Sequence, residues 1–116
     1  MDTTTDTQEV AMTILRQMGG TGRLSVMIGA KHFLSFGPAK EGSDTGRGLG
    51  AVSFQFMKSA GKPNFIRVTL QSDDTYTVEF GMIRGMNFRQ TKTLDGMYAE
   101  DLKRVFRDET GLVLSL

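Results

Sequence analysis

Residues 66–82 read IRVTLQSDDTYTVEFGM, and this stretch decides the fold class. Apolar and polar residues alternate from 66 to 70 and again from 76 to 82, on either side of the polar run Gln-Ser-Asp-Asp-Thr. A period of two is typical of strands that bury one face, and the residues between them favour a turn. The stretch therefore predicts an antiparallel hairpin with its turn at residues 71–75.

Further strands are predicted on both sides of this hairpin. Alternation at residues 24–28 and 32–36, around Gly-Ala-Lys, predicts a first hairpin, and alternation at 52–56 predicts one more strand. Residues 88–94 are polar and β-prone, which suits an edge strand protected by charge. Residues 112–116 are short and apolar and are expected to return to the sheet. The pattern predicts a curved, mostly antiparallel sheet of about five to six strands.

Two segments have helical periodicity instead. Apolar residues recur at helical spacing between a cap at Asp6 and a stop at Gly19, and again from Tyr98 to the residues before Gly111. Because each strand is apolar on one face, we expect both helices to pack on one side of the sheet, in an α+β fold. The other face is then polar and shows Arg67, Thr69, Gln71, Thr77 and Glu79.

Composition is that of one globular domain. The chain has 116 residues, of which 39% are hydrophobic and 23% charged, so we expect a single domain over residues 1–116 with residues 1–6 disordered. The absence of cysteine excludes disulfides and thiolate metal sites. The start of the chain does not resemble a signal peptide, and no apolar run is long enough for a membrane helix. We expect a cytoplasmic protein with no membrane contact.

Charge is unevenly distributed along the chain, although the net charge is only +1. Residues 1–20 and 93–116 each carry a net charge of −2, whereas residues 21–92 carry +5. A basic middle section can indicate an anionic partner.

The long segment 37–50 is rich in glycine and lacks periodicity, which predicts a flexible loop. Residues 46–51, GRGLGA, match the letters of a dinucleotide-binding pattern, but they precede a strand and not the helix that such a pattern needs. We therefore favour a simple connection, in which Lys40 and Arg47 are candidate contacts for an anion.

No set of residues predicts catalysis, a cofactor or a metal ion. His32 is the only histidine, and its place in a strand favours a structural or surface role. Asp73 and Asp74 could bind a hard cation, but adjacent aspartates between two strands are usual in a tight turn. We therefore expect a protein that is not an enzyme.

Two kinds of partner remain. Phosphates and stacked bases of single-stranded nucleic acid would suit a basic sheet surface with interleaved rings. The candidate residues for this surface are Lys31, Arg67, Arg84, Phe88, Arg89 and Lys92. In the competing interpretation the rings belong to the core and the cations to a solvated face. The alternative function is a module that engages or inhibits a host protein through the edge strand, the methionines or the glycine loop, and the edge strand could also pair in a homodimer.

Three stretches carry a resemblance to a group of proteins. They are LSVMIGAKHF at residues 24–33, the stretch 52–80 that ends in FIRVTLQSDDTYTVEF, and DGMYAEDLKRVFRDETGLVLSL at 95–116. Together they resemble small uncharacterised proteins encoded in bacteriophage and prophage genomes. The resemblance implies an accessory role inside a bacterial host cell, and it implies no activity, cofactor or site residue.

Overall fold

The computed structural model describes residues 3–36, 49–57 and 62–112. Helices flank a run of five consecutive strands in this part of the chain. The elements are α1 (Thr3–Gln17), α2 (Thr21–Ile28), β1 (Lys31–Phe36), β2 (Gly50–Gln55), β3 (Phe65–Leu70), β4 (Tyr76–Arg84), β5 (Asn87–Met97), a 3-10 turn (Ala99–Asp101) and α3 (Leu102–Thr110).

The five strands form one antiparallel sheet in which each strand pairs with the next one along the chain. Val52, Val68 and Val78 lie side by side across β2, β3 and β4, and all three are buried. The hairpin predicted from residues 66–82 is confirmed. Its turn is closed by a hydrogen bond of 2.8 Å from the Gln71 N–H to the Thr75 carbonyl oxygen.

Helices cover one face of this sheet, and the core lies between them and the valines. Phe54, Phe80 and Phe106 are fully buried there. The ring of Phe106, on α3, lies 4.9 Å from that of Phe56 and 6.5 Å from that of Phe80, measured between centroids. The predicted α+β arrangement, with an N-terminal and a C-terminal helix on one face, is thus confirmed.

The predicted first hairpin is wrong in its first half, because residues 24–28 belong to helix α2. Leu24 and Ile28 are both buried, at the i, i+4 spacing of one helix face. Gly29 ends the helix in the left-handed conformation at φ 66°, and its N–H donates to the Ser25 carbonyl oxygen. The next N–H, of Ala30, donates to the Leu24 carbonyl oxygen, which completes a glycine-terminated helix end. Strand β1 pairs with β2 instead.

The ends of the other helices differ in detail from the prediction. Helix α1 begins at Thr3, ahead of the predicted cap, so residues 3–6 are helical. Helix α3 ends as predicted, with Gly111 in the left-handed conformation at φ 77°. The predicted loop falls mostly on residues 37–48 and the predicted terminal strand mostly on 113–116, and both of these ranges lie outside the described residues.

Candidate functional site

Strands β4 and β5 continue beyond the end of β3. The last register pair between β3 and β4 joins Phe65 and Gly81. Three more pairs between β4 and β5 follow, and they are Met82–Arg89, Ile83–Phe88 and Arg84–Asn87. We call residues 82–89 the hairpin tip. The main sheet therefore presents a narrow two-stranded ribbon at one end.

The side chain of Asn64 anchors the hairpin tip to the sheet. Its Nδ2 donates to the Ile83 carbonyl oxygen at 3.0 Å, and the Ile83 N–H donates to its Oδ1 at 2.7 Å. The backbone N–H of Asn64 also donates to the Gly81 carbonyl oxygen at 3.0 Å. The buried side chain of Asn64 thus makes the hydrogen bonds to β4 that a further residue of β3 would otherwise make. It therefore holds the base of the ribbon.

Phe88 packs on the ribbon over a glycine. A Cβ atom at Gly81 would lie only 2.5 Å from Cε2 of the Phe88 ring, so position 81 must lack a side chain for the ring to lie there. The ring also contacts Phe65 edge to face, with centroids 5.2 Å apart. Phe88 nevertheless remains 56% exposed. The hairpin tip therefore carries a fixed aromatic ring that solvent can reach.

The hairpin tip is basic, because no Asp or Glu occurs between Glu79 and Asp95. Arg84 and Arg89 are exposed and form no ion pair within residues 62–112 or the other described ranges. Arg89 Nη2 lies 3.5 Å from the sulfur of Met82. A cleft of about 240 Å³ is lined by Met82, Arg84, Asn87, Phe88 and Arg89. Within the described residues, two guanidinium groups without an ion-pair partner therefore lie on one face of the ribbon, and the exposed ring of Phe88 lies on the other face, over Gly81.

The structure does not bring all the predicted contact residues together. Arg84, Phe88 and Arg89 all lie in the hairpin tip, the two arginines on one face of the ribbon and Phe88 on the other. Lys31 lies on β1, at the opposite edge of the sheet. Lys92 lies on the helix side, where its Nζ is 2.9 Å from a carboxylate oxygen of Glu109 on α3. Lys40 and Arg47 lie outside the described residues.

Arg67 is already engaged by a neighbouring carboxylate. Its Nε donates to Glu79 Oε1 at 3.0 Å and its Nη2 to Glu79 Oε2 at 2.7 Å. Its guanidinium carbon also lies 5.9 Å from the ring centroid of Phe36. Both charges are largely shielded from solvent, and each one neutralises the other. Within the predicted set of basic residues, Arg67 is therefore paired with a carboxylate, whereas Arg84 and Arg89 at the end of the hairpin have no ion-pair partner among the described residues.

On the same polar sheet face, hydrogen bonds join the side chains of Gln71, Thr77 and Asp95. Gln71 Nε2 donates to the Thr77 hydroxyl at 3.0 Å, and that hydroxyl donates to Asp95 Oδ1 at 2.9 Å. The register places Thr77 beside Thr69 and Glu79 beside Arg67, as the sequence predicts.

The aspartates of the β3–β4 turn serve the turn itself. Asp73 Oδ1 accepts from the Thr75 hydroxyl at 2.6 Å and from the Thr75 N–H at 3.1 Å. These two hydrogen bonds, the hydroxyl one foremost, hold the pKa of Asp73 below its usual value. Asp74 adopts a left-handed conformation at φ 66°. Across the described part of the chain, no group of three or more His, Asp or Glu residues is arranged to hold a metal ion.

Asn87 is a site residue that the sequence reasoning missed. It faces Arg84 across the end of the ribbon, and Met86 beside it is fully exposed. The short Gly-Met step between two β-prone runs, at residues 85–86, was an available hairpin signal. That signal would have placed Asn87 beside Arg84.

Comparison with known proteins adds no family to this geometry. No protein-family model matches the chain, and no significant match was found among curated proteins or solved structures. Among the helices in the described ranges, none has the length and apolar character needed to cross a membrane.

Proposed function

We propose that the protein is a non-catalytic nucleic-acid-binding protein and that the hairpin tip is its contact surface. The observation that carries this proposal is the position of Arg84 and Arg89, which are exposed, have no carboxylate partner within the described residues, and lie on the same short ribbon as the accessible ring of Phe88. Cations bind phosphates and release counterions, while an exposed ring can stack on a base. The resemblance to phage-encoded proteins suggests that this binding takes place inside a bacterial cell.

The distribution of ion pairs supports the choice of this surface. Arg67 and Lys92 are held by Glu79 and Glu109, and each would have to leave its partner before it could contact a phosphate. No such exchange is needed at the hairpin tip. Arginine also suits phosphate recognition because its planar group can donate two parallel hydrogen bonds.

The proposal is tested by fluorescence anisotropy of labelled oligonucleotides titrated with protein at two salt concentrations. We expect salt-dependent binding by the natural protein and a much weaker affinity in the double variant Arg84→Ala/Arg89→Ala. The slope of log affinity against log salt should fall by roughly 0.7–0.9 for each phosphate that the variant no longer neutralises. The double variant Arg16→Ala/Arg107→Ala is the matched control, because it removes two exposed arginines elsewhere. An equally weak affinity in this control, or no binding in dilute salt, contradicts the proposal.

We propose a second function, protein binding, on a different observation. A groove of about 310 Å³ runs between α1 and the edge strand β1 and is lined by Ala11, Met12, Leu15, Phe33, Leu34, Ser35 and Val52. In the described sheet, β1 pairs only with β2, so its outer edge can take a further strand. An extended apolar segment of a host protein would pair there and place side chains beside Leu34, which is 58% exposed.

Capture from a bacterial lysate tests this second function. A stoichiometric partner should be held by the natural protein and by the Met86→Glu control, but not by the Leu34→Glu variant. A partner that Leu34→Glu still captures rules out this groove as its site.

A further inference from the structure

The hairpin tip has the dimensions of an element that enters the major groove of DNA. Strands in a sheet lie about 4.8 Å apart and rise about 3.3 Å per residue, so the three residue pairs beyond β3 extend about 10 Å. The major groove of B-DNA is about 12 Å wide and about 8.5 Å deep, and it admits a two-stranded ribbon. The length of the tip is therefore close to the depth of the groove.

The end of the tip also carries side chains of types that can bind base edges. Arg84 and Asn87 form the last register pair, and Arg89 is on the same ribbon. Arginine can donate two hydrogen bonds to guanine, and asparagine can bond adenine through its amide. At the apex, Gly85 adds no bulk, and the fully exposed Met86 offers an apolar contact of the kind that thymine methyl groups accept.

A single strand fits this surface less well than a duplex. Proteins that bind single strands usually stack successive bases on several rings along a basic groove. The tip offers only Phe88, and Gly81 covers one face of that ring. The nearest other ring, Phe65, meets Phe88 edge to face and is half-buried.

One more cation, Lys62, lies close along the chain to the residue that anchors the base of the tip. Lys62 is exposed and precedes by two residues Asn64, whose side chain is bonded to Ile83 at the base of the tip. No ion pair within the described ranges engages Lys62. Its charge therefore lies at the same end of the sheet as the tip.

Resting on the proposed function, we infer that the protein binds duplex DNA with the hairpin tip in the major groove. Arg84 and Asn87 contact base edges, Arg89 adds a further base or phosphate contact, and Lys62 contacts a flanking phosphate. Contacts to base edges give sequence preference, whereas contacts to phosphates give affinity without preference. The two kinds of residue can therefore be told apart by experiment.

The test begins with duplexes selected by the natural protein from a random library. Affinity is then measured by anisotropy for the selected duplex, for its separated strands, and for a duplex in which 7-deazapurines replace the purines. This replacement removes the N7 acceptors, which face only the major groove. We expect the duplex to bind at least tenfold more tightly than either strand, and the 7-deaza duplex to bind roughly tenfold more weakly than the natural one.

Two variants separate base reading from backbone contact. Asn87→Ala should change the base preference of the selected sites, whereas Lys62→Ala should lower affinity for all duplexes without changing that preference. Tighter binding of single strands, or full binding of the 7-deaza duplex, overturns the inference and leaves the proposed function standing. Absence of binding to every oligonucleotide overturns both.

Discussion

Replacement of Asn64 by alanine is a sharp test of how the hairpin tip is built. Asn64 is 6% exposed, and its side chain makes both hydrogen bonds to the backbone of Ile83. The variant leaves an N–H and a carbonyl group of a half-buried residue without protein partners. An unpaired backbone group lowers the free energy of unfolding by about 1–3 kcal/mol when it is fully buried, and the two groups of Ile83 are partly accessible to water. We therefore expect the free energy of unfolding to fall by about 2–3 kcal/mol.

Urea unfolding followed by far-UV circular dichroism measures this destabilisation, and thermal unfolding should show a decrease in Tm of roughly 8–12 °C. Asn87→Ala is the matched control, because Asn87 is exposed at the end of the same ribbon and should cost less than about 0.5 kcal/mol. Equal stability of the two variants would refute the role of Asn64 as an anchor, whether both remain stable or both are destabilised to the same large extent.

Three further predictions concern the core, the ring and the pH dependence. Phe106→Ala should lower the free energy of unfolding in urea by about 3–5 kcal/mol, because it removes the ring that packs between α3 and the sheet. A decrease below about 1 kcal/mol would contradict that packing. Gly81→Val should displace the Phe88 ring and weaken nucleic-acid binding, and an unchanged ring environment in proton NMR would contradict the contact. Burial raises the pKa of Tyr76 above 10. The neutral phenol therefore stabilises the fold below pH 10, and stability should fall as pH rises through the raised pKa. The stability of the Tyr76→Phe variant should fall less over the same pH range. An equal decrease of stability at alkaline pH in both proteins would contradict this.

The strands were predictable from the sequence where alternation was long and punctuated by turn residues. Residues 66–82 are such a case, because the register across the Asp-Asp turn places the apolar residues of β3 opposite those of nine-residue β4, on one face of the sheet. Residues 24–28 were not, because a mostly apolar segment of only five residues fits either a strand or one turn of a buried helix. The helix is fixed there by the two glycines around α2 and by the burial of Leu24 and Ile28, which only tertiary packing reveals.

The candidate site was predictable only in part. The sequence placed Arg84, Phe88 and Arg89 near one another because they lie close along the chain. It could not show that Lys92 faces the helices. An irregularity in the register between Phe80 and Gly81 changes which residues of β5 point to that side of the sheet. Nor could it show the ion pairs that engage Arg67 and Lys92. The anchoring by Asn64 joins residues 19 positions apart and leaves no local pattern.

The most direct test of the central claim is a titration of ¹⁵N-labelled protein with a DNA duplex, followed by two-dimensional NMR in dilute salt. We predict that the backbone amide shifts change most at residues 82–89 and around Lys62 and Asn64, with little change on α1 or at the Arg67–Glu79 pair. Changes centred on the groove between α1 and β1, or no changes at all, would contradict nucleic-acid binding by the hairpin tip.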